Sequence, residues 1–505
     1  MYYYNPVIPG FNPDPTVCRA GDDFYLATST FEYFPGLPIY HSRDLINWDL
    51  IGNALDRDTQ LSLQSTKSSD GLFAPTLRYN KGTFYLTCNN VGGGGNFIVT
   101  SKNPAGPWSE PFWLDDYGID GSMFFDDDGK IYYSRAGIDG QNGIMQAELD
   151  PATLKLATPF KQVWEYEGEW NEGPHLYKIK GKYYVIAATG GTESQHQEVV
   201  ARGGNPWGPF ESNPFNPMLT ERDDPNSPIQ CAGHADLVEG PDGSWWAVFL
   251  GVRRHEGTSA LGRETFLAPV RWVEGGWPII GDNHHVATQM EFPSFVKSST
   301  LQKNQRQHFN IPALGPEWIY VRNPQRQNYS LSERPGFLRI RGSAGTLEKI
   351  TPQSFIGRRQ QDFKMSTRCS LEFSPSSDNE EAGLCLRAND DNHYQIAAGR
   401  LEGEKVVFFR SVLDSQGVIM ASAPCVSSIV FLEIAGNESR YQFSWSKDGK
   451  EWHVLAGASS KDVSPENIKS FTGAVIGMYS TGNGKPCQNP ADFEWFEYSA
   501  EGVSS

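Results

Sequence analysis

The first half of the chain contains five copies of one short pattern, and this repeat restricts the fold more than any other feature. Each copy has an anchor residue, a short apolar stretch, a turn rich in Gly or Asp, and a second apolar stretch rich in aromatic residues. The anchors are Asp14, Ala74, Asp120, Glu172 and His234. The second stretch opens 10 residues after the first two anchors and 11 residues after the other three, so the unit is a true repeat.

Each repeat predicts a β-hairpin, because apolar residues alternate and the turn supplies the positive φ that a tight connection needs. Stretches around Trp48, Trp108 and Trp207 follow three of the hairpins and indicate outer strands. Anchor spacings of 60, 46, 52 and 62 residues leave room for four strands in each unit. We therefore predict an all-β chain that begins with a five-bladed β-propeller over residues 1–300. The first strand of every blade lines the central channel of a propeller, so the anchors are expected to converge there.

Charge and hydropathy exclude two classes of partner. The chain has a formal net charge of -17 and no basic stripe, which argues against binding to nucleic acid. It has no run of about 18 apolar residues, so no membrane partner is expected. The 51 Gly and 33 Pro, together with 14 Trp and 21 Tyr, are typical of a folded chain of many short strands.

The N-terminal sequence and the cysteines bear on the cellular compartment. MYYYNPVIPGFNPDP has no basic stretch followed by an apolar one, so we expect either a cytoplasmic protein or a mature secreted form. The seven cysteines are odd in number, scattered, and without a C-x-x-C pair. This pattern favours reduced, mostly structural thiols over a disulfide framework or a zinc site.

Three of the five anchors are acidic, which predicts hydrolytic chemistry in the channel. Inverting cleavage of a glycosidic bond requires a carboxylic acid and a carboxylate on opposite sides of the bond, about 6.5 to 9.5 Å apart. Asp14 and Glu172 belong to non-adjacent repeats and are expected to span such a gap. Asp120 is expected to orient Glu172 and to raise its pKa by like-charge repulsion. One acidic residue before a strand is often only a turn cap, but three at the same repeat position favour catalysis.

The residues around the anchors resemble glycoside hydrolase family 43, the five-bladed β-xylosidases and α-L-arabinofuranosidases. The matching segments are NPDPTVCR, FAPTLRY, GIDGSMFFDDDGK, NEGPHLYK, AGHADLV and LGRETFLAPVRW. The resemblance implies that Asp14 is the general base, Glu172 the general acid, and Asp120 the residue that orients Glu172 and modulates its pKa. Gly121 departs from the family pattern, in which proline is common, but this change removes no functional group.

Further site residues follow from the same resemblance. Arg263 would bind sugar hydroxyls, which suits its rigid set of five donors. Phe31 and Phe73 resemble positions that form a stacking wall for the sugar. His234 resembles a position in the sugar pocket that often ligates calcium, yet a lone imidazole is a weak calcium site. A structural hydrogen-bonding role for His234 is therefore an equal alternative, and no cofactor is required for the chemistry.

A second domain is predicted over residues 301–505. After Trp277 the repeat stops, and from about Phe309 strands such as STRCSLEF, EEAGLCLR, HYQIAAG and KVVFFRS alternate apolar and polar residues. This pattern is typical of an antiparallel sandwich. The region resembles the lectin-like β-sandwich that accompanies many family members. Two roles stay open for this second domain: contact with the substrate, or stabilisation of the protein without contact to the sugar.

We therefore expect an inverting, exo-acting glycosidase that releases terminal α-L-arabinofuranosyl and also β-D-xylosyl units from arabinoxylan or xylo-oligosaccharides. A strict β-D-xylosidase and a non-catalytic sugar-binding propeller are the alternatives. A retaining fructan hydrolase is disfavoured because its Arg-Asp-Pro element is absent: Asp224 follows Arg222 and Asp223.

Overall fold

The computed structural model describes residues 2–138, 140–273, 275–291 and 305–500. Its paired strands are antiparallel throughout, and the all-β prediction is confirmed. Helical structure in these ranges is confined to the α-helical turn Pro465–Ile468 and the 3-10 turns Arg326–Asn328 and Lys461–Val463. No helix in the described ranges has the length and apolarity needed to cross a membrane.

Five antiparallel sheets follow one another along the described part of residues 2–291, and we number them I to V. Sheet I contains Thr16–Ala20, Asp23–Ala27, Gly36–Ser42 and Asp49–Leu55. Sheet II contains Gly71–Leu72, Thr76–Asn80, Thr83–Val91, Gly95–Ser101 and Phe112–Trp113. Sheet III contains Ser122–Phe125, Ile131–Ala136, Ile144–Leu149 and Lys161–Trp164.

Sheet IV contains Glu172–Ile179, Lys182–Thr189, Gln197–Gly203, Glu211–Ser212 and Leu219–Thr220. Sheet V contains Ile229–Glu239, Trp245–Arg253, Glu264–Trp272 and Pro278–Ile280. A further pair joins Tyr2–Tyr4 to Gln289–Glu291. This pair brings the two ends of the described N-terminal region together.

Each predicted hairpin is present and forms the first two paired strands of its sheet. The tryptophan stretches lead into the outermost strands rather than forming them. Trp48, Trp108 and Trp207 lie in the connections before Asp49–Leu55, Phe112–Trp113 and Glu211–Ser212. In the first two connections the indole Nε1 donates to a carbonyl a few residues earlier, which fixes the turn: Leu45 O at 2.8 Å for Trp48 and Pro104 O at 3.2 Å for Trp108.

The C-terminal region forms two antiparallel sheets, VI and VII. Sheet VI contains Gln305–His308, Tyr329–Ser330, Leu338–Ile340, Met365–Glu372, Ile429–Gly436, Arg440–Ser446, His453–Ser459 and Ala491–Ala500. Sheet VII contains Ser354–Arg359, Glu381–Arg387, His393–Leu401, Glu404–Leu413, Gln416–Pro424 and Val475–Thr481. The four strands predicted here from alternating residues are all observed. The predicted domain boundary at residue 300 lies outside the described residues.

Sheets VI and VII face each other across one apolar core. Leu371 and Leu432 of sheet VI and Leu384 and Met478 of sheet VII are all fully buried in it. Facing apolar layers of this kind are the main stabilising element of a β-sandwich. The seven cysteines all lie in the described ranges as free thiols, and six of them are buried, whereas Cys487 is partly exposed.

The two regions also share a core with each other. Phe11, Phe31 and Tyr33 of the N-terminal region pack in one buried cluster with Phe355 and Tyr479 of the sandwich. The short strand Tyr33–Phe34 pairs with Tyr320–Val321, so backbone hydrogen bonds cross the same boundary. The sandwich is therefore packed against the N-terminal sheets at the segment that carries Phe31.

Candidate active site

The innermost strands of sheets I to V meet around Asp236, a fully buried carboxylate of sheet V. It accepts hydrogen bonds from Thr16 Oγ1 at 2.7 Å, Arg78 Nη1 at 2.7 Å and the Tyr177 hydroxyl at 2.6 Å. His175 Nδ1 extends the network to Ser122 Oγ at 2.9 Å. Burial acts to raise the pKa of Asp236, but Arg78 and the other donors outweigh it and hold that pKa below its usual value. One residue or more from each sheet takes part, so the inner strands converge.

Three of the predicted anchors share an unusual backbone conformation just beside this network. Asp14, Asp120 and His234 have φ angles of 53°, 57° and 53°, in the left-handed region. In sheet IV the residue with this conformation is Gly173, with φ of 57°, directly after Glu172. Residues other than Gly seldom adopt positive φ, and such residues concentrate at functional sites. Asp14, Asp120 and His234 are therefore structurally equivalent, whereas the predicted anchor Glu172 lies one residue before its equivalent position, Gly173.

Asp14 is buried and held from two sides. Its Oδ2 accepts a hydrogen bond from Ser29 Oγ, and its Oδ1 accepts one of 2.8 Å from Arg263 Nη1. Arg263 lies directly before the strand Glu264–Trp272 of sheet V and is itself 8% exposed. These contacts fix the orientation of the carboxylate, while each oxygen keeps a second lone pair for another donor.

Arg263 retains donor capacity toward the pocket. Its Nη2 lies 3.4 Å from the carbonyl oxygen of Phe471, and its Nε has no hydrogen-bond partner among the described residues. A buried N–H without a partner is costly unless a ligand or water satisfies it. The guanidinium therefore has a donor left for water or for a bound polar molecule.

Glu172 and Asp120 are linked through the backbone of Gly173. Asp120 Oδ2 accepts a hydrogen bond of 3.0 Å from Gly173 N. Burial, and then the charge of Asp14, raise the pKa of Glu172 to about 7, and Arg263 opposes them. Burial and the charges of Glu172 and Asp14 raise the pKa of Asp120 well above its usual value. Asp120 and Glu172 therefore lie close enough for their charges to interact, and Asp120 also holds the backbone directly after Glu172.

His234 packs against the same turn. Its Nδ1 lies 4.0 Å from Asp14 Oδ1, and its ring lies beneath Gly173. A Cβ at Gly173 would approach His234 Cε1 and Nε2 at 3.0 Å, so glycine is needed both for the close contact and for the positive φ. Burial lowers the pKa of His234, and Asp14 opposes this effect.

The surroundings of His234 do not fit a calcium ion. Calcium prefers six to eight oxygen ligands. Next to His234 the carboxylate of Asp14 already accepts from Ser29 and Arg263. Among the described residues, no group of three or more His, Cys, Asp or Glu side chains is arranged to hold a metal. The donor set instead suits hydrogen bonding by a neutral imidazole.

Phe31 and Phe73, the two residues expected to form a stacking wall, lie against each other beside Arg263. Their ring centroids are 5.1 Å apart, and the Arg263 guanidinium carbon lies 5.6 Å from the Phe31 ring. Phe31 is buried, with φ of 51°, whereas Phe73 is partly exposed. Such a wall suits the apolar face of a sugar ring.

The sandwich supplies a third ring, which the sequence analysis missed. The ring of Phe471 lies 5.7 Å from that of Phe31, 5.9 Å from that of Phe73 and 5.5 Å from the Arg263 guanidinium carbon. Phe471 follows the short helix Pro465–Ile468 in a loop without periodicity. Its position in the sequence gave no signal, because the contact spans two domains.

Two polar residues of the site were also missed. Ser29 donates to Asp14, and His196 lies buried beneath Gly233, where a Cβ would approach its ring at 2.7 Å. His196 Nδ1 lies 2.8 Å from the carbonyl oxygen of Cys231, and its Nε2 has no partner among the described residues. A histidine preceding a buried strand was the available signal for His196.

The model of glycosyl hydrolases family 43 matches residues 3–278, and the model of the beta xylosidase C-terminal concanavalin A-like domain matches residues 306–499. Both segments contain the sheets described above, and the first contains all the predicted site residues. The N-terminal match alone exceeds half of the chain.

Individual proteins agree over the full length. A non-reducing end alpha-L-arabinofuranosidase from Bacteroides ovatus is 44% identical over 98% of this chain and 94% of its own length. A xylosidase/arabinosidase from Butyrivibrio fibrisolvens is 38% identical over 97% of this chain and 98% of its own. The solved structure of a xylan beta-1,4-xylosidase from Bacillus halodurans superposes with a TM-score of 0.95 at 34% identity, over 98% of this chain and 100% of that one. The chain therefore belongs to glycosyl hydrolase family 43 and is a glycosidase.

Proposed function

We propose that the protein is an inverting, exo-acting glycosidase that releases terminal pentose units, α-L-arabinofuranosyl and also β-D-xylosyl, from hemicellulose oligosaccharides such as arabinoxylan fragments. The observation that carries the proposal is a pair of carboxyl groups in unlike environments. Asp14 accepts a charged hydrogen bond from Arg263, whereas Glu172 has a pKa raised to about 7. Pairs whose environments separate their protonation states are typical of acid and base roles.

Glu172 is the general acid in this mechanism. A carboxyl group with a pKa near 7 is substantially protonated at neutral pH and can donate its proton to the leaving oxygen. The Asp120 carboxylate accepts a hydrogen bond of 3.0 Å from the backbone N–H of Gly173, the residue after Glu172. This bond fixes the start of the strand that carries the general acid. Asp120 is a positioning residue with respect to the glycosidic bond.

Asp14 is the general base. It lies just before the first strand of sheet I, whereas Glu172 opens the first strand of sheet IV, so a ring bound between them would have the acid and the base on different sides. Ser29 and Arg263 orient the Asp14 carboxylate, which keeps lone pairs to accept a proton from water. Water attack opposite the leaving group inverts the anomeric carbon.

A cluster of aromatic rings beside Arg263 supports exo action. Phe31, Phe73 and Phe471 surround one side, with Arg263 beside them. Stacking on aromatic rings and a donor from Arg263 would hold a single terminal sugar. A cavity of about 450 Å³, lined by Arg263 and Phe471 together with residues such as Glu193, Arg254 and Lys469, offers room for the leaving group.

We assign sheets I to V as the five blades of a propeller, because their inner strands all contribute to the network around Asp236. We divide the chain into a catalytic domain of residues 1–300 and a sandwich of residues 301–505. The two matched segments, 3–278 and 306–499, support this division.

Arabinofuranosides and xylosides are the two substrate classes to be distinguished. The names of the two relatives include both activities, and a strict β-D-xylosidase is the second candidate. Rates on 4-nitrophenyl α-L-arabinofuranoside, 4-nitrophenyl β-D-xylopyranoside and arabinoxylan oligosaccharides decide between the two classes. We expect release of arabinose, and of xylose at a measurable rate. Asp14→Asn is the matched control, and hydrolysis of neither pentoside by the native protein would contradict the proposal.

A further inference from the structure

A buried cluster of charged residues lies where the sandwich meets the N-terminal region. It consists of Arg322, Arg387 and Asp390 from the sandwich and Glu32 from the N-terminal region, and we call it the interface cluster. Glu32 and Arg387 are fully buried, and Arg322 and Asp390 are nearly so. Two positive and two negative side chains make the cluster neutral as a whole.

Arg387 is the centre of this cluster. Its Nη1 donates to Glu32 Oε1 at 3.2 Å and to the Tyr33 hydroxyl at 2.7 Å, and its Nη2 donates to Asp390 Oδ1 at 2.8 Å. Asp390 is also bound by Arg322, which reaches the carbonyl oxygen of Thr66 as well. One guanidinium therefore fixes two residues of the segment that begins with Phe31.

The other carboxylate oxygen of Glu32 connects the cluster to Phe471. Glu32 Oε2 accepts a hydrogen bond of 3.1 Å from Ser69 N. Ser69 Oγ in turn accepts one of 3.0 Å from the backbone N–H of Phe471. Glu32 thus lies between Phe31, its neighbour in the chain, and the loop that presents Phe471. Both rings that flank Arg263 depend on the same carboxylate.

Burial of this many charges is not a simple source of stability. A buried ion pair often stabilises less than apolar residues of the same volume, and its best-attested role is to specify one arrangement. Apolar packing is already available here, since Tyr33, Phe355 and Tyr479 form a buried cluster at the same interface. What the interface cluster adds is a directional set of hydrogen bonds.

We propose that Arg387 is a positioning residue for the sugar pocket, which holds Phe31 and Phe471 in place beside Arg263. This inference rests on the proposed function. Through Glu32 and Ser69 the sandwich acts on the aromatic side of the pocket, so it is part of the active site and not an appendage. A lysine in place of Arg387 would carry the same charge. It would lack the two terminal guanidinium nitrogens that reach Glu32, Tyr33 and Asp390 together.

The test compares Arg387→Met with Arg339→Met. Arg339 is also paired to a buried carboxylate, Asp492 at 2.7 Å, but the residues to which it donates, Asp492 and Glu333, both lie within the sandwich. We expect Arg387→Met to raise KM for 4-nitrophenyl pentosides and the Kd for free L-arabinose about tenfold, the loss of roughly one aromatic contact. The pH profile should keep its shape, and Arg339→Met should change neither constant.

A double variant separates positioning from general damage. If Arg387 acts through Phe471, adding Arg387→Met to Phe471→Ala should raise KM by much less than it does in the native background. Arg387→Lys and Glu32→Gln serve if Arg387→Met does not fold, and both should raise KM in the same direction. Native KM and arabinose affinity in folded Arg387 and Glu32 variants would overturn the inference. A native protein without pentosidase activity would instead contradict the proposed function.

Discussion

Arg263 Nη1 donates a hydrogen bond of 2.8 Å to Asp14 Oδ1, across a separation of 249 residues in the chain. The same guanidinium lies beside the rings of Phe31 and Phe471, which contact each other. The contact therefore joins the predicted base to the aromatic pocket and to the sandwich. Replacing Arg263 should affect both the orientation of Asp14 and the binding of the sugar.

Arg263→Lys is expected to lower kcat/KM on pentosides by roughly 10- to 100-fold. A lysine carries one point charge, so it can bind Asp14 or reach the sugar but cannot do both. The estimate corresponds to one lost hydrogen bond to a charged group, about 1.5 to 3 kcal/mol. Steady-state kinetics with 4-nitrophenyl arabinofuranoside measures it. Kinetics equal to those of the native protein would remove Arg263 from the mechanism.

Glu172→Gln should separate substrates by their leaving groups. On arabinoxylan oligosaccharides the rate should fall by several orders of magnitude, because the sugar oxygen must be protonated as it departs. On 4-nitrophenyl glycosides the loss should be far smaller, since nitrophenolate leaves with little acid assistance. The ratio of kcat/KM between the two substrates is the measurement. An equal loss on both would contradict the assignment of Glu172 as acid.

The pH dependence of hydrolysis should follow the ionisation of the Glu172 carboxyl group. Burial and the charge of Asp14 raise the pKa of this carboxyl group to about 7. The protonated form is the active one, so kcat/KM on oligosaccharides should fall as pH rises through about 7. In Glu172→Gln, the alkaline fall should disappear for 4-nitrophenyl substrates. A native alkaline limb that persists unchanged in this variant would assign the titration to another group.

Gly173→Ala tests the close contact beneath the acid. An alanine Cβ would lie 3.0 Å from the His234 ring, and φ is 57°. We expect loss of most activity together with a lower Tm. Gly181→Ala is the matched control, since Gly181 has φ of 77° in the turn of the same hairpin and no atom within 4 Å of its added Cβ. The control should lose about 1 kcal/mol of stability and retain its kinetics. Full activity in Gly173→Ala would show that the contact is not needed.

The repeat allowed much of this site to be predicted from sequence. Asp14, Asp120 and His234 occupy equivalent positions in hairpins and share a positive φ, and Glu172 lies one residue before the equivalent Gly173. Hairpins have a local signal in alternating residues and turn glycines, so the repeat could locate these residues to within one position.

Contacts between the two domains had no comparable signal. Phe471 and Arg387 lie in the sandwich, and their partners Phe31 and Glu32 lie more than 350 residues earlier in the chain. Nothing local distinguishes these residues from ordinary members of a sandwich. Only the packing of one domain on the other gives them a role, and a single sequence does not contain that information.

The central claim is that Asp14 and Glu172 act on opposite sides of one glycosidic bond. Proton NMR of the first sugar released from 4-nitrophenyl α-L-arabinofuranoside, recorded before mutarotation, tests it most directly. We predict that β-L-arabinofuranose is formed first, which is the inverted configuration. Initial formation of the α-anomer would mean retention through a covalent intermediate and would contradict the account.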